Sequence, residues 1–422
     1  MIKKKYIWSL LIFAISLQAS NYEKFVQELI SNSFERNPSI LSKKNAITSA
    51  SYSVDGARWQ YFPTPSLRAE NDDSGERVVT FGLQQPLWAG GKIDATYDKT
   101  KIQAQIAKMN LNETKESLAI LITQNIYNLL SSYGKTLVYA DALRRLEEHK
   151  NMITRRIKEG ASPDSELLLI DARLSQAKTD YSMSLALENK TLVTLDQLLA
   201  KKVTIEEFRD ILPKELNKLE LTSKYSDEEL MNKVIEVNPS LEKYSEQIKA
   251  QSYEVDIKKA VLYPTVYAKY EKNWLDNNNT NSNNNDSLFK IGVEYSPGAG
   301  LSSLSAIDSA KADLLTLSRD RENMELELRQ KIDSELSDYE FTYNRYENYT
   351  LAVESNQQTQ ESYKRLFIAG KRSWLDVLNA ERELINAQIS LSDVQAYLVT
   401  TPIKFKIFSN ELLKLEKANN EY

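Results

Sequence analysis

Two hydrophobic periodicities alternate along the chain, and each predicts a different element. Apolar residues recur with 4-3-4 spacing at Ile122, Ile126, Leu129 and Tyr133, and again at Ile332, Leu336, Tyr339, Tyr343 and Tyr346. That spacing is the register of packed or coiled helices. No proline falls between Pro86 and Pro163, and the only glycines there are Gly90, Gly91, Gly134 and Gly160. Lys92 to Glu159 therefore reads as one helix of about 100 Å at 1.5 Å per residue. Between Pro297 and Pro402 the only glycines are Gly298, Gly300 and Gly370, so Leu301 to Ile368 reads as a second such helix. Elsewhere the period drops to two. Val79, Phe81 and Leu83 alternate with Thr80, Gly82 and Gln84, and Phe289, Ile291 and Val293 alternate with Lys290, Gly292 and Glu294. Together with Leu67 and Ala69, and with Val266, Ala268 and Tyr270, this predicts four strands at about 61–71, 77–88, 263–274 and 287–296.

The order of these elements occurs twice. Asn37-Pro38-Ser39 recurs as Asn238-Pro239-Ser240, and Tyr61-Phe62-Pro63-Thr64 as Leu262-Tyr263-Pro264-Thr265, at one constant displacement. Beyond the strands the displacement grows, matching Gly82 to Gly292 and Gly160 to Gly370. The extra residues fall in the polar run Leu275 to Asp286, expected to be a water-exposed extracellular loop. The chain is thus read as residues 1–19, a leader, followed by repeats at 20–220 and 221–422, each with the plan helix, strand, strand, long helix, turn, helix.

Composition narrows the setting. Lys3, Lys4 and Lys5 precede the apolar stretch Tyr6 to Leu17 and the small-residue site at Ala19, the layout of a secretory signal. Mean hydropathy of −0.48 argues against a helical membrane protein. Cysteine is absent, which removes disulfides and thiolate metal sites. The formal charge of −5, made more negative by loss of the three leader lysines, argues against nucleic-acid binding.

Long helices alone would suit a periplasmic coiled-coil scaffold. The strands point elsewhere, because short alternating strands bordered by Trp59, Tyr61, Phe62, Trp88, Tyr263 and Trp274 are what an outer-membrane β-barrel requires. The smallest such barrels have about eight strands, and a bilayer satisfies no open edge, so four strands per chain must be completed by other copies. Two chains would supply eight strands and three would supply twelve. A conducting ring of helices favours the larger number.

Over nearly its whole mature length the chain resembles the TolC-like outer membrane factor family. The resemblance is carried by the duplicated Asn-Pro-Ser segments, by Gln84-Gln85-Pro86-Leu87-Trp88-Ala89-Gly90-Gly91, and above all by Ala369-Gly370-Lys371-Arg372-Ser373-Trp374-Leu375-Asp376-Val377-Leu378-Asn379-Ala380-Glu381. It implies a mainly α fold with a membrane β-barrel portion. Three chains would form a homotrimer with a twelve-stranded barrel in outer membrane lipid and an α-helical barrel through the periplasm. The implied function is the exit duct of a tripartite exporter, working with a periplasmic adaptor (a membrane fusion protein) and an inner-membrane ABC or RND-type pump. Arg372-Ser373-Trp374-Leu375-Asp376 looks most like members that serve type I protein secretion, with drug or small-molecule efflux as the alternative.

The resemblance also implies sites. Adaptor docking falls at the helix turns, here Gly160, Ala161 and Ser162 and then Gly370 and Lys371; the first turn is longer, and Asp164 and Glu166 in it receive no role. Asp376 matches a position whose carboxylates ring the periplasmic entrance, and Arg372 a basic residue of its ion-pair network. Asn379 stands where a second carboxylate is familiar, and Phe367 where a gating tyrosine is. Independently, Asp376, Asn379 and Glu383 share a helix face, and threefold repetition would crowd acidic groups in a narrow passage that attracts cations. No residues suggest an enzyme, a cofactor or a metal site. The only histidine, His149, lies in a charged stretch and is expected to be exposed, and no triad or phosphate loop accompanies it.

Overall fold

A computed structural model describes residues 22–71, 77–209, 227–276 and 285–414. The leader 1–19 and most of the polar run 275–286 lie outside them. In chain order the first half contains α1 (22–36), α2 (Pro38–Arg58), β1 (Thr64–Asn71), β2 (Arg77–Trp88), α3 (Lys92–Lys158) and α4 (Ser165–Leu199). The second contains α5 (Asp227–Val237), α6 (Pro239–Ala260), β3 (Thr265–Asp276), β4 (Asn285–Glu294), α7 (Ser302–Ile368) and α8 (Trp374–Phe408). Both long helices have 67 residues, and both helices that follow them have 35. The fold is therefore a duplication. No described helix is long and apolar enough to cross a membrane.

The repeated Asn-Pro-Ser has a local cause. Asn238 takes an extended backbone and its side chain accepts hydrogen bonds from the N–H groups of Ser240 and Leu241, both at 3.1 Å, while Pro239 fills the first helical position. Asn37 does the same for the N–H of Ser39 at 3.0 Å. A side-chain acceptor at the cap and a proline just inside it satisfy donors that a helix start leaves open.

The residues divide into two compact units. One gathers Leu41–Thr114 and Asn238–Leu328. It contains an antiparallel sheet in the order β1-β2-β3-β4. Register places Gly82 opposite Ser66 in β1 and Glu271 in β3, and Gly292 opposite Tyr267. A Cβ on Gly82 would lie 2.6 Å from the Ser66 hydroxyl, and one on Gly292 would lie 2.4 Å from the Tyr267 ring. The two matched glycines make room for polar-face side chains of the neighbouring strand. On that face Glu271 bridges Lys269 at 2.6 Å and Lys290 at 3.0 Å. The opposite face presents Leu67, Phe289, Ile291 and Val293, all about two-thirds exposed or more.

Strand ends differ from the sequence expectation by a few residues. β1 starts at Thr64 because Trp59–Tyr61 prolong α2 as a 3₁₀ turn, and β4 stops at Glu294, ahead of Pro297. Leu275 and Asp276 end β3 and Asn285 and Asp286 begin β4, so the ends of the polar run are strand.

The other unit gathers the described residues up to Ile40, Lys115–Val237 and from Arg329. Ile122, Ile126 and Leu129 of α3 and Ile332 of α7 are fully buried in it. A separate core joins α3, α4, α7 and α8 through Leu146, Ile153, Ile170, Leu174, Phe367, Trp374, Val377 and Leu378.

Candidate functional site

The two turns after α3 and α7 lie beside that core, in the same unit. They begin with the same pair of backbone bonds. Gly160 N–H donates to Ile157 O and Ala161 N–H to Arg156 O, and Gly370 N–H donates to Phe367 O and Lys371 N–H to Leu366 O. This pair of bonds is the Schellman ending, and it needs a left-handed residue. Gly160 has φ +72° and Gly370 +71°. Nothing lies near where their Cβ would stand, so backbone conformation and not space selects glycine at both. Gly160, Ala161, Gly370 and Lys371 are exposed and Ser162 is half-buried.

Arg156 draws the turns together. Its guanidinium donates to Ser162 Oγ at 3.1 Å and to Ala161 O at 3.3 Å, and lies 4.9 Å from the centre of the Phe367 ring. Phe367 in turn packs against Trp374 at 5.1 Å. Phe367 is buried within the chain, so any effect it has on a passage is exerted through packing.

Past the second turn, Ser373 caps α8. Its hydroxyl accepts from the Asp376 N–H and its own N–H donates to Asp376 Oδ2, both at 3.2 Å. Arg372 is 3.9 Å from the same oxygen and stacks 4.6 Å over Tyr363. The side-chain and backbone hydrogen bonds of Ser373, with Arg372 beside them, hold the Asp376 carboxyl below the usual carboxylate range. Asp376 and Asn379 are half-exposed and Glu383 is exposed on the side of α8 away from its buried stripe of Trp374, Val377, Leu378, Glu381 and Leu384. Asp164 makes no side-chain cap at α4.

His149 corrects the sequence reading. It is 1% exposed, packed edge-on against Trp374 at 5.7 Å, with Nε2 3.2 Å from Gln360 and 3.5 Å from Glu381. The flanking charges in Leu146-Glu147-Glu148-His149-Lys150 suggested solvent, but His149 continues a 4-3-4 buried series, Ala142, Leu146, His149 and Ile153. Glu381 and Arg145, which sequence reasoning passed over, meet His149 there. Burial pushes the Glu381 carboxyl up, yet the neighbouring His149 and Arg145 outweigh it and leave it below the usual range. Among the described residues no group of acids and histidines could hold a metal ion.

The chain is thus a duplicated helical protein with a small, one-sidedly apolar sheet and twin glycine turns. The sequence profile of the outer membrane efflux protein family matches residues 29–201 and 230–404, and the chain belongs to that family. It is an outer membrane efflux channel protein and not an enzyme. The fold is similar to the solved outer-membrane channel OprN at 16% identity and TM-score 0.80, covering 92% of this chain and 90% of that one. It is also similar to the Campylobacter jejuni CmeC outer membrane channel at 14% identity and TM-score 0.79, covering 94% and 87%. The outer membrane protein VceC from Vibrio cholerae gives 15% identity and TM-score 0.76, covering 91% and 95%. Comparison with curated proteins returns no match.

Proposed function

We infer that three copies of the chain close a twelve-stranded barrel in the outer membrane and form the exit duct of a tripartite export system. The observation that carries this reading is the sheet. β1 pairs only with β2 and β4 only with β3 among the described residues, while one face is exposed and apolar. Such edges are untenable in lipid unless neighbouring copies pair with them. The polar face, with Lys269, Glu271 and Lys290, then faces water in the lumen.

The twin turns are the surface for a periplasmic adaptor, presenting Gly160, Ala161, Ser162, Gly370 and Lys371. Asp376 rings the entrance beside Asn379, and Arg372 restrains it by pairing with Asp376. The segment Arg372 to Asp376 favours type I protein secretion with an ABC exporter over small-molecule efflux with an RND-type pump.

One set of measurements tests the reading. The protein should fractionate with the outer membrane as a heat-modifiable trimer and conduct as a cation-selective channel blocked by trivalent cations. Asp376→Asn should weaken block and selectivity, and Arg372→Ser should raise conductance. A soluble periplasmic monomer overturns the channel, and unchanged block in Asp376→Asn removes Asp376 from the constriction.

A further inference from the structure

Glu381 occupies a position in the buried stripe of α8 where an apolar residue is the ordinary choice, between Leu378 and Leu384. Three helices meet on its carboxylate, which is 1% exposed. From α3, Arg145 Nε donates to Oε1 at 2.7 Å. From α7, Gln360 Nε2 donates to Oε2 at 2.9 Å. His149 Nε2, also on α3, stands 3.5 Å from that second oxygen. Arg145 is held in turn by Asp141 and by Gln388 at 3.4 Å. Ion pairs buried this deeply stabilise little compared with a well-packed apolar group, but losing one member is severe, so their attested use is to fix one arrangement against others.

The protons can be assigned from the partners. Gln360 Nε2 gives one hydrogen to Glu381, which leaves its second for His149 Nε2 at 3.2 Å. His149 then accepts at Nε2 and carries its proton on Nδ1, which is buried with no hydrogen-bond partner among the described residues. Proton uptake at Nε2 turns that nitrogen into a donor. It then bonds Glu381 and repels the Gln360 amide, so α7 loses its bond to α3 and is held only through the bond from Gln360 to Glu381. The charged groups around the imidazole are Arg145, with Asp141 behind it, on α3 and Glu381 on α8. α7 presents the neutral Gln360. α4 presents Ile170 and Leu174 to the same core, with its Asp171 paired to Lys150.

We propose that Arg145, Glu381, Gln360 and His149 form a positioning site for the periplasmic gate, setting where α7 and the start of α8 lie against α3, and that protonation of His149 loosens the closed arrangement. Asp376 and Asn379 lie within two turns of Glu381 on the same helix, so a shift of α8 carries them directly. The inference rests on the channel reading above.

The test is single-channel recording of the intact trimer in a planar bilayer from about pH 8 to about pH 5, the range in which histidine ordinarily responds. Because His149 is the only histidine, no other imidazole can supply the response. The expected result is a rise in open probability on acidification of about fivefold, the lower end of ordinary coupling between sites. His149→Asn should flatten that profile, and Glu381→Gln should give raised opening at both ends of the range. Channels that trivalent cations block, but whose opening ignores pH and both variants, overturn the positioning site and leave the channel intact. So does a change in melting temperature alone. If Glu381→Gln fails to assemble, the wild-type and His149→Asn profiles decide. Failure of the wild type to conduct at all overturns both readings.

Discussion

At the scale of single residues, the structure separates side chains chosen for conformation from those chosen for partners. Gly370 belongs to the first kind, since its φ of +71° is left-handed and no neighbour crowds its Cβ position. Replacing it with alanine should cost about 1–2 kcal/mol, the penalty of a left-handed L-residue. The melting temperature of the protein measures this, and an unchanged value would show that the turn relaxes. Asp376 belongs to the second kind. With its folded-state titration depressed by Ser373 and Arg372, it supports the start of α8 above the usual carboxylate range and loses that support as pH falls through its lowered value. His149 and Glu381 show where reading by neighbours in sequence fails. Charged flanks said solvent, whereas the seven-residue interval from Leu146 to Ile153 brackets His149 within a buried stripe. The partners of Glu381 come from α3 and α7, hundreds of positions away in Arg145 and nearer in Gln360, and no local pattern announces such a meeting.

At the scale of elements, the helices and strands follow from signals that act locally. Two long proline-free stretches become α3 and α7, and the Asn-Pro-Ser segments become caps with measurable bonds. Asn238→Ala should remove both acceptor contacts and destabilise the protein by about 1 kcal/mol, the usual cost of losing an N-cap. Chemical unfolding should register it as a lower midpoint. An unchanged midpoint would mean that Pro239 and packing alone hold the start of α6. Legibility declines at element ends for an equally physical reason. Residues 59–61 can continue a helix or begin a strand on propensity alone, and only the pairing of Thr64 with Gln84 fixes where β1 starts. Phe367 is a similar case. Its sequence context resembles a gate position, but its ring is taken up by Arg156 and Trp374 inside the chain.

At the scale of the whole molecule, the decisive matter is which face of the sheet meets lipid. The alternation of residues was visible in sequence, but alternation assigns two faces without saying what lies against either. In the structure Phe289, Ile291 and Val293 stand about two-thirds exposed on one face, and Lys290 bonds Glu271 on the other. If three copies close the sheet in the outer membrane, Ile291 must touch acyl chains and Lys290 must touch water. A lysine at a lipid-facing position costs about 2–4 kcal/mol near the bilayer midplane and falls towards zero at the interfaces. Ile291→Lys should therefore reduce the yield of heat-modifiable trimer in the outer membrane, while Lys290→Gln, one residue away, should leave that yield nearly unchanged. The contrast depends on the two faces and not on the two residues' proximity, because both sit in β4 and both pair with β3. Equal loss in both variants would indicate a general intolerance of β4 to substitution. The reverse order, with Lys290→Gln harmful and Ile291→Lys silent, would turn the sheet inside out and with it the path of the exported cargo.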